Sequence, residues 1–413
     1  MKILQAIAQR LAQIEIYVVT LAVAVSIVSS RLLAVALGAA AFFWLCRAIT
    51  QRQICPRTPA DWPIFLLGVM IIVTLFVSVN KAVTLPQVYR LILGIAFFYA
   101  IVNWAVTIQR ITWVAFGASF AGLGIAALAP LSVEWIAFKI NFIPEGIYER
   151  FTLLFRDTVH PNVLAGNLLI LLPIPLSLLL YTWRGMNWFW RVILSIATTG
   201  MLLILLLSQS RGAWLSLLVV LAIVPLLRFR RGWIITGLVV LFGLVALSYY
   251  GITPVVETFA QSYTLTSLDS RLEAWERGVF MVQDFPLTGI GMGLYGSLAD
   301  LLYPFFLPEP GTIPHAHNLL LQIAVDLGIP GLVAWLGIFF AVSKAAWDTY
   351  RTGQYAQQAQ ITALGAGLIA SLVALMTHGL VDAVTWGMVR PAPIVWALWG
   401  IAGATVNLQN SNK

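Results

Sequence analysis

Apolar segments about 20 residues long, enough for a helix to cross the hydrocarbon core of a bilayer, follow one another along almost the whole chain. Of its 413 residues, 60% are hydrophobic and only 10% are charged, against about 25% charged in a soluble domain. The mean hydropathy of +0.91 points the same way. The expected fold is therefore all-α: a polytopic membrane helix bundle of about 12 transmembrane helices. The segments are 11–29, 31–49, 62–80, 86–106, 111–129, 161–181, 190–208, 212–228, 231–250, 317–346, 360–382 and 391–408. They read as a single membrane domain over residues 1–413. Lys2 and Arg10 precede the first segment as in a signal peptide, but that run is long and a second follows at once, so it reads as an uncleaved anchor.

Loop charge orients the bundle. With the N-terminus inside, cytoplasmic segments hold 14 Lys and Arg and the opposite segments hold 9, which favours both termini in the cytoplasm. On this reading the basic pI of 9.7 reflects membrane anchoring. No basic stripe with interleaved aromatics marks a nucleic-acid site. Trp62, Trp183, Trp188, Trp190 and Trp233 lie near segment ends, where indole rings anchor at the interface. Cys46 and Cys55 fit neither a metal nor a disulfide pattern.

Two connections are long enough to be more than connectors, 130–160 and 251–316, both on the extracytoplasmic side of this topology. The longer loop is expected to carry short helices and to form part of an active site. Within it Asp269 or Ser270 could cap an amphipathic helix with Leu272, Trp275 and Val279 along one face. Gly289-Ile290-Gly291-Met292-Gly293 lacks the strand and βαβ context of a dinucleotide fingerprint, so tight turning is the better reading.

Chemistry-bearing residues gather around that loop. His315-Ala316-His317-Asn318 ends it and runs into an apolar helix pattern, placing two of the 4 histidines where a polar loop enters the membrane. Imidazole can take a proton from a hydroxyl near neutral pH. Arg211 opens a segment after almost no loop, and Arg271 lies in the amphipathic stretch. If both point inward, two guanidinium forks could grip a diphosphate; the structural alternatives are snorkelling for Arg211 and pairing with Glu273 or Glu276 for Arg271. His160 before Pro161 reads as a helix cap, with a substrate contact as the alternative. His378 and Asp382, four apart, would share one face of the eleventh segment, as a functional pair or as a packed hydrogen bond.

Ser210-Arg211-Gly212-Ala213-Trp214, then Ser270-Arg271-Leu272-Glu273-Ala274-Trp275, then Pro286-Leu287-Thr288-Gly289-Ile290-Gly291, and finally His317-Asn318 with nine residues before Gly328-Ile329-Pro330-Gly331 together resemble the O-antigen ligase and O-antigen polymerase superfamily. The resemblance is strongest over 156–335. Leu332 stands where the ligases commonly carry Thr or Val. The resemblance implies an inverting, metal-independent glycosyltransferase without cofactor, in the cytoplasmic membrane with its active site outside. Its donor would be a polyprenyl-diphosphate-linked glycan and its acceptor a glycan or lipid, with envelope-glycan assembly proteins as further partners. Carried over by position, His317 would be the catalytic base. Arg211 and Arg271 would bind the diphosphate, with His315 and Asn318 as further substrate contacts. A second reading is a transporter of a small anion such as bicarbonate, which would place His378 and Asp382 near the midplane. A third is a non-catalytic subunit of envelope-glycan assembly.

Overall fold

A computed structural model describes residues 2–51, 54–135, 144–151, 153–154, 158–250, 267–306 and 313–411. The start of the long loop, with Gly251 and Pro254, lies outside the described residues, as do Pro308 and Pro310. Every expected apolar segment is helical: α1 (Lys2–Val28), α2 (Leu33–Gln51), α3 (Asp61–Val77), α4 (Lys81–Trp104), α5 (Ile108–Ser132), α6 (Pro161–Leu171) continuing as α7 (Pro173–Thr182), α8 (Trp188–Leu207), α9 (Arg211–Arg228) and α10 (Gly232–Tyr250). After α11 (Ser267–Asp284) and the short α12 (Tyr295–Leu302) come α13 (Leu319–Tyr355), α14 (Ala359–Gly379) and α15 (Pro393–Ser411). Among the described residues, 8 helices are long and apolar enough to cross a membrane, and stretches of α1, α3 and α15 are shorter apolar helices. The chain is an all-α polytopic membrane protein.

Polar residues start the helices where the sequence leaves the apolar runs. Asn80 accepts the N–H of Ala82, Thr107 that of Arg110 and Asn187 that of Phe189, each satisfying an otherwise orphaned donor of a first turn. Small residues then let the helices approach. A β-carbon on Gly94 of α4 would fall 2.2 Å from the Trp396 ring of α15, and one on Gly365 of α14 would fall 2.3 Å from the Tyr350 backbone of α13. Around the outside Leu21, Val35, Phe65, Phe76 and Phe340 are exposed, the apolar surface that a lipid-facing bundle presents.

α13 is broken once. Gly328 has φ 72° and ψ 178°, outside helical space, and the loop after α11 docks into the gap. Ile329 donates its N–H to Pro286 O at 2.7 Å, and Ile290 donates to Val325 O at 2.8 Å. Gly289, Gly291 and Gly293 all have positive φ, so the glycine run turns tightly, as its sequence predicts.

The expected helix near 269 is present but differs in two ways. It is already helical at Ser267, so Asp269 and Ser270 lie inside it rather than capping it. Leu272 and Val279 do share a face, and that face is exposed. The buried face carries Ala274, Gly278 and Met281 with the Glu273–Arg277 ion pair, because Tyr295 of α12 packs there and donates its hydroxyl to Ala274 O.

Candidate active site

One end of the bundle gathers the first residues of α6, α9 and α13 and the last residues of α14. The site is assembled there. His160 accepts the N–H of Asn162 on Nδ1 at 3.2 Å and Pro161 opens α6, the cap that the sequence predicts. The α8–α9 turn is three residues long and buried at Ser208, Gln209 and Ser210. Gln209 takes a positive φ of 50° and donates its side-chain amide to Tyr148 Oη, whose hydroxyl donates in turn to Leu207 O. This turn delivers Arg211 directly to the N-terminus of α9.

The His315–Asn318 turn enters α13 in a strained conformation. His317 has φ 47°, a left-handed geometry costing a residue with a β-carbon roughly 1–2 kcal/mol. Local bonds hold it: His317 N donates to His315 Nδ1 at 3.1 Å, and Asn318 Oδ1 accepts the N–H of Leu321 at 3.0 Å. Asn318 Nδ2 donates to Leu380 O at 3.1 Å. Asn318, expected as a substrate contact, caps α13 and braces the end of α14.

Asp382 lies at the centre. α14 ends at Gly379, so Asp382 sits in the turn beyond it rather than on the helix face shared with His378; the two remain linked through Asp382 N, which donates to His378 O at 2.9 Å. Asp382 Oδ1 is 3.6 Å from His317 Nδ1 and 3.8 Å from His315 Nε2, and Oδ2 accepts from Asn162 Nδ2 at 3.3 Å. Its carboxyl is held well below the usual carboxylate range: burial pushes it up, but the neighbouring His317, His315 and His378 outweigh that. His315 is held down at about 3, by burial first and then by His317, with Asp382 opposing. Gly166 makes room for Val384 and His378, since a β-carbon there would lie 2.5 and 3.0 Å from them, and Gly212 makes room for Val381, 2.7 Å from its β-carbon position. Three of the chain's 4 histidines, His315, His317 and His378, therefore act on one carboxylate, and His160 acts on His315.

The tautomers follow from these contacts. His315 Nδ1 accepts a backbone N–H, so its proton is on Nε2, facing Asp382. His317 Nδ1 faces the carboxylate at 3.6 Å, longer than a hydrogen bond; a proton on Nδ1 would point at Asp382 and leave the Nε2 lone pair for a substrate. His315, His317 and Asp382 are close enough to hold a metal ion among their 3 ligand atoms, but a protonated His315 Nε2 is no ligand. The His317 side chain is 24% exposed whereas Asp382 is 4% exposed, so the imidazole, not the carboxylate, is open to a substrate.

Two cations face this group. Arg271 of α11 is near enough to act electrostatically on Arg211, on His315 and on His378. Glu273 pairs with Arg277 at 3.2 Å. The structure thus brings together Arg211, Arg271, His315 and His317, and adds Asp382 at the centre, whose closeness to His317 nothing in the sequence signals across 65 residues.

Residues 196–336 match the family model described as O-antigen ligase, a stretch from α8 into α13 that includes Arg211, Arg271 and the His317 turn and stops short of Asp382. No curated protein matches the chain significantly. The chain, a polytopic all-α bundle, is thus similar to the O-antigen ligase family over residues 196–336.

Proposed function

We propose that the protein transfers a glycan from a polyprenyl diphosphate carrier to an acceptor hydroxyl at the extracytoplasmic face of the cytoplasmic membrane, in envelope polysaccharide synthesis. The observation that carries this reading is the His317–Asp382 pair beside Arg211 and Arg271. His317 Nε2 accepts the proton of the acceptor hydroxyl as that oxygen bonds to the anomeric carbon. The bond from that carbon to the diphosphate breaks, and its electron pair leaves with the diphosphate. Asp382 fixes the ring and its tautomer and stabilises the imidazolium that forms. Arg211 and Arg271 balance the growing charge on the leaving group, with the first turns of α6, α9 and α13 adding their positive dipole ends. A single displacement inverts the anomeric configuration, and no step requires a metal or cofactor. Asn162, His160 and His378 shape the pocket around Asp382.

The transporter reading rests on a separate His378–Asp382 site at the midplane. Asp382 lies within 4 Å of His317 and His315, which supports a shared site at the helix ends over a separate one.

The test is transfer from a polyprenyl-diphosphate-linked glycan in reconstituted membranes with chelator present. The native chain is expected to form an inverted glycosidic product, and His317→Ala or Arg211→Ala to abolish it. Bicarbonate uptake lost in His378→Ala but retained in His317→Ala, with no transfer to any acceptor, would overturn the reading.

A further inference from the structure

Two polar side chains are buried in the first turns of α13 without touching the reactive groups. Gln322 is 1% exposed and Asp326, four residues on, is 0% exposed. A carboxylate this deep in a membrane helix is costly unless fully partnered, and marks function by default. Three N–H donors converge on it: Gln322 Nε2 at 2.9 Å and Gly293 N at 3.2 Å on Oδ1, and Trp386 Nε1 at 2.8 Å on Oδ2.

The contact with Gln322 has a directional consequence. An amide whose NH2 is held by a carboxylate cannot flip, so its oxygen must point the other way. Gln322 Oε1 points back to the turn and accepts the N–H of Ala316 at 2.8 Å. Ala316 lies between His315 and His317, and His317 is the residue held at φ 47°. The third donor reaches the other half of the pair: Trp386 lies four residues beyond Asp382, and Arg90 pins the same segment by donating to Gly387 O at 3.0 Å. Gly293 belongs to the glycine turn that docks α11, the helix carrying Arg271, against the break in α13.

We propose that Asp326 and Gln322 are positioning residues that set the separation of His317 from Asp382 by tying the His315–His317 turn and the Asp382–Met388 segment to one buried carboxylate. The proposal rests on the reading of His317 as the base. Asp326 holds Gln322, Gln322 holds the Ala316 amide, and Trp386 brings the Asp382 segment to the same point. Loss of Gln322 frees the turn to relax from its strained φ, which moves the imidazole, and Asp326→Asn removes one of the two acceptor oxygens while the other still accepts from Gly293 N, so the docked loop and Arg271 stay in place.

The experiment uses the full chain in lipid nanodiscs, with Gln322→Met, Asp326→Asn and the double variant, read by amide exchange over residues 313–319 and by transfer kinetics. In the native protein the Ala316 amide is expected to be protected although its turn is irregular. Each single variant should speed its exchange about tenfold, the scale of one hydrogen bond, and lower kcat about 100-fold with the donor KM unchanged, as for a misplaced catalytic group. The double variant should be no worse than the worse single one. An unprotected Ala316 amide in the native chain would overturn the proposal even if every variant failed to fold. So would unchanged exchange in the variants, losses that add, or a fall in kcat matched by a rise in KM. Native-like transfer by His317→Ala would overturn the base assignment instead, and exchange separates that result from failure of the relay.

Discussion

His317 shows how little of a site a single residue discloses. Its place at the mouth of an apolar helix is legible in the sequence because a polar turn followed by a long apolar run can only enter the membrane there. Its partner is not legible. Asp382 reads as a helix residue paired with His378, and only the end of α14 at Gly379 turns its carboxylate toward His317 and His315. Asn318, read as a substrate contact, also caps α13. His315 carries a consequence for pH. Its pKa falls from 6.5 to about 3 on folding, so the unfolded chain binds a proton that the native chain refuses, and stability is lost on acidification through that window. The depressed Asp382 acts in the same direction at lower pH, below its ordinary 3.8. Between about pH 7 and about pH 5 the thermal midpoint of the native protein is expected to fall, and that of His315→Gln to fall less. Parallel declines would show that His315 is not the group responsible.

At the scale of elements, the break in α13 organises the loop end of the bundle. The glycine run reads as a tight turn because three glycines in five residues have no other economical use outside a βαβ unit. Gly328-Ile329-Pro330-Gly331 reads as a turn that closes an apolar helix pattern, but that the glycine run docks against it could not be read. A β-carbon at Gly328 would lie 2.7 Å from the Leu287 carbonyl carbon at a φ of 72°. Gly328→Ala therefore strains the backbone and pushes the docked loop away. It is expected to cost about 1–2 kcal/mol from backbone conformation alone, with more from the clash, seen as a lower unfolding midpoint. An unchanged midpoint would mean that the loop is not held there. The exposed apolar face of α11 escaped the sequence reading for another reason: periodicity locates a stripe but does not say whether protein or lipid covers it.

At the scale of the whole molecule, hydropathy gave the helices and alternation brought their ends together. Polar residues buried at the far end have a different task from those at the site. Glu15 of α1 and Arg47 of α2 pair at 3.1 Å with side chains 1% and 0% exposed, Asn103 of α4 donates to the same carboxylate, and Arg47 reaches Tyr99 O. Three helices are thereby fixed in register. Removing one partner leaves the other buried and uncompensated, so Glu15→Gln is expected to destabilise by about 3–5 kcal/mol, measured as a lower thermal midpoint, with the donor KM unchanged in the protein that remains folded. A native-like midpoint would show that the pair contributes nothing to holding α1 and α2 on the bundle.

The central claim is that His317 takes the acceptor's proton while the arginines hold the donor. Its most direct test is single-turnover transfer by His317→Ala beside an equilibrium measurement of donor binding. The account predicts donor affinity within error of the native protein and a transfer rate lower by about 10²–10⁴, the contribution of a general base. A native transfer rate, or a loss of donor affinity large enough to explain the slower rate, would contradict it.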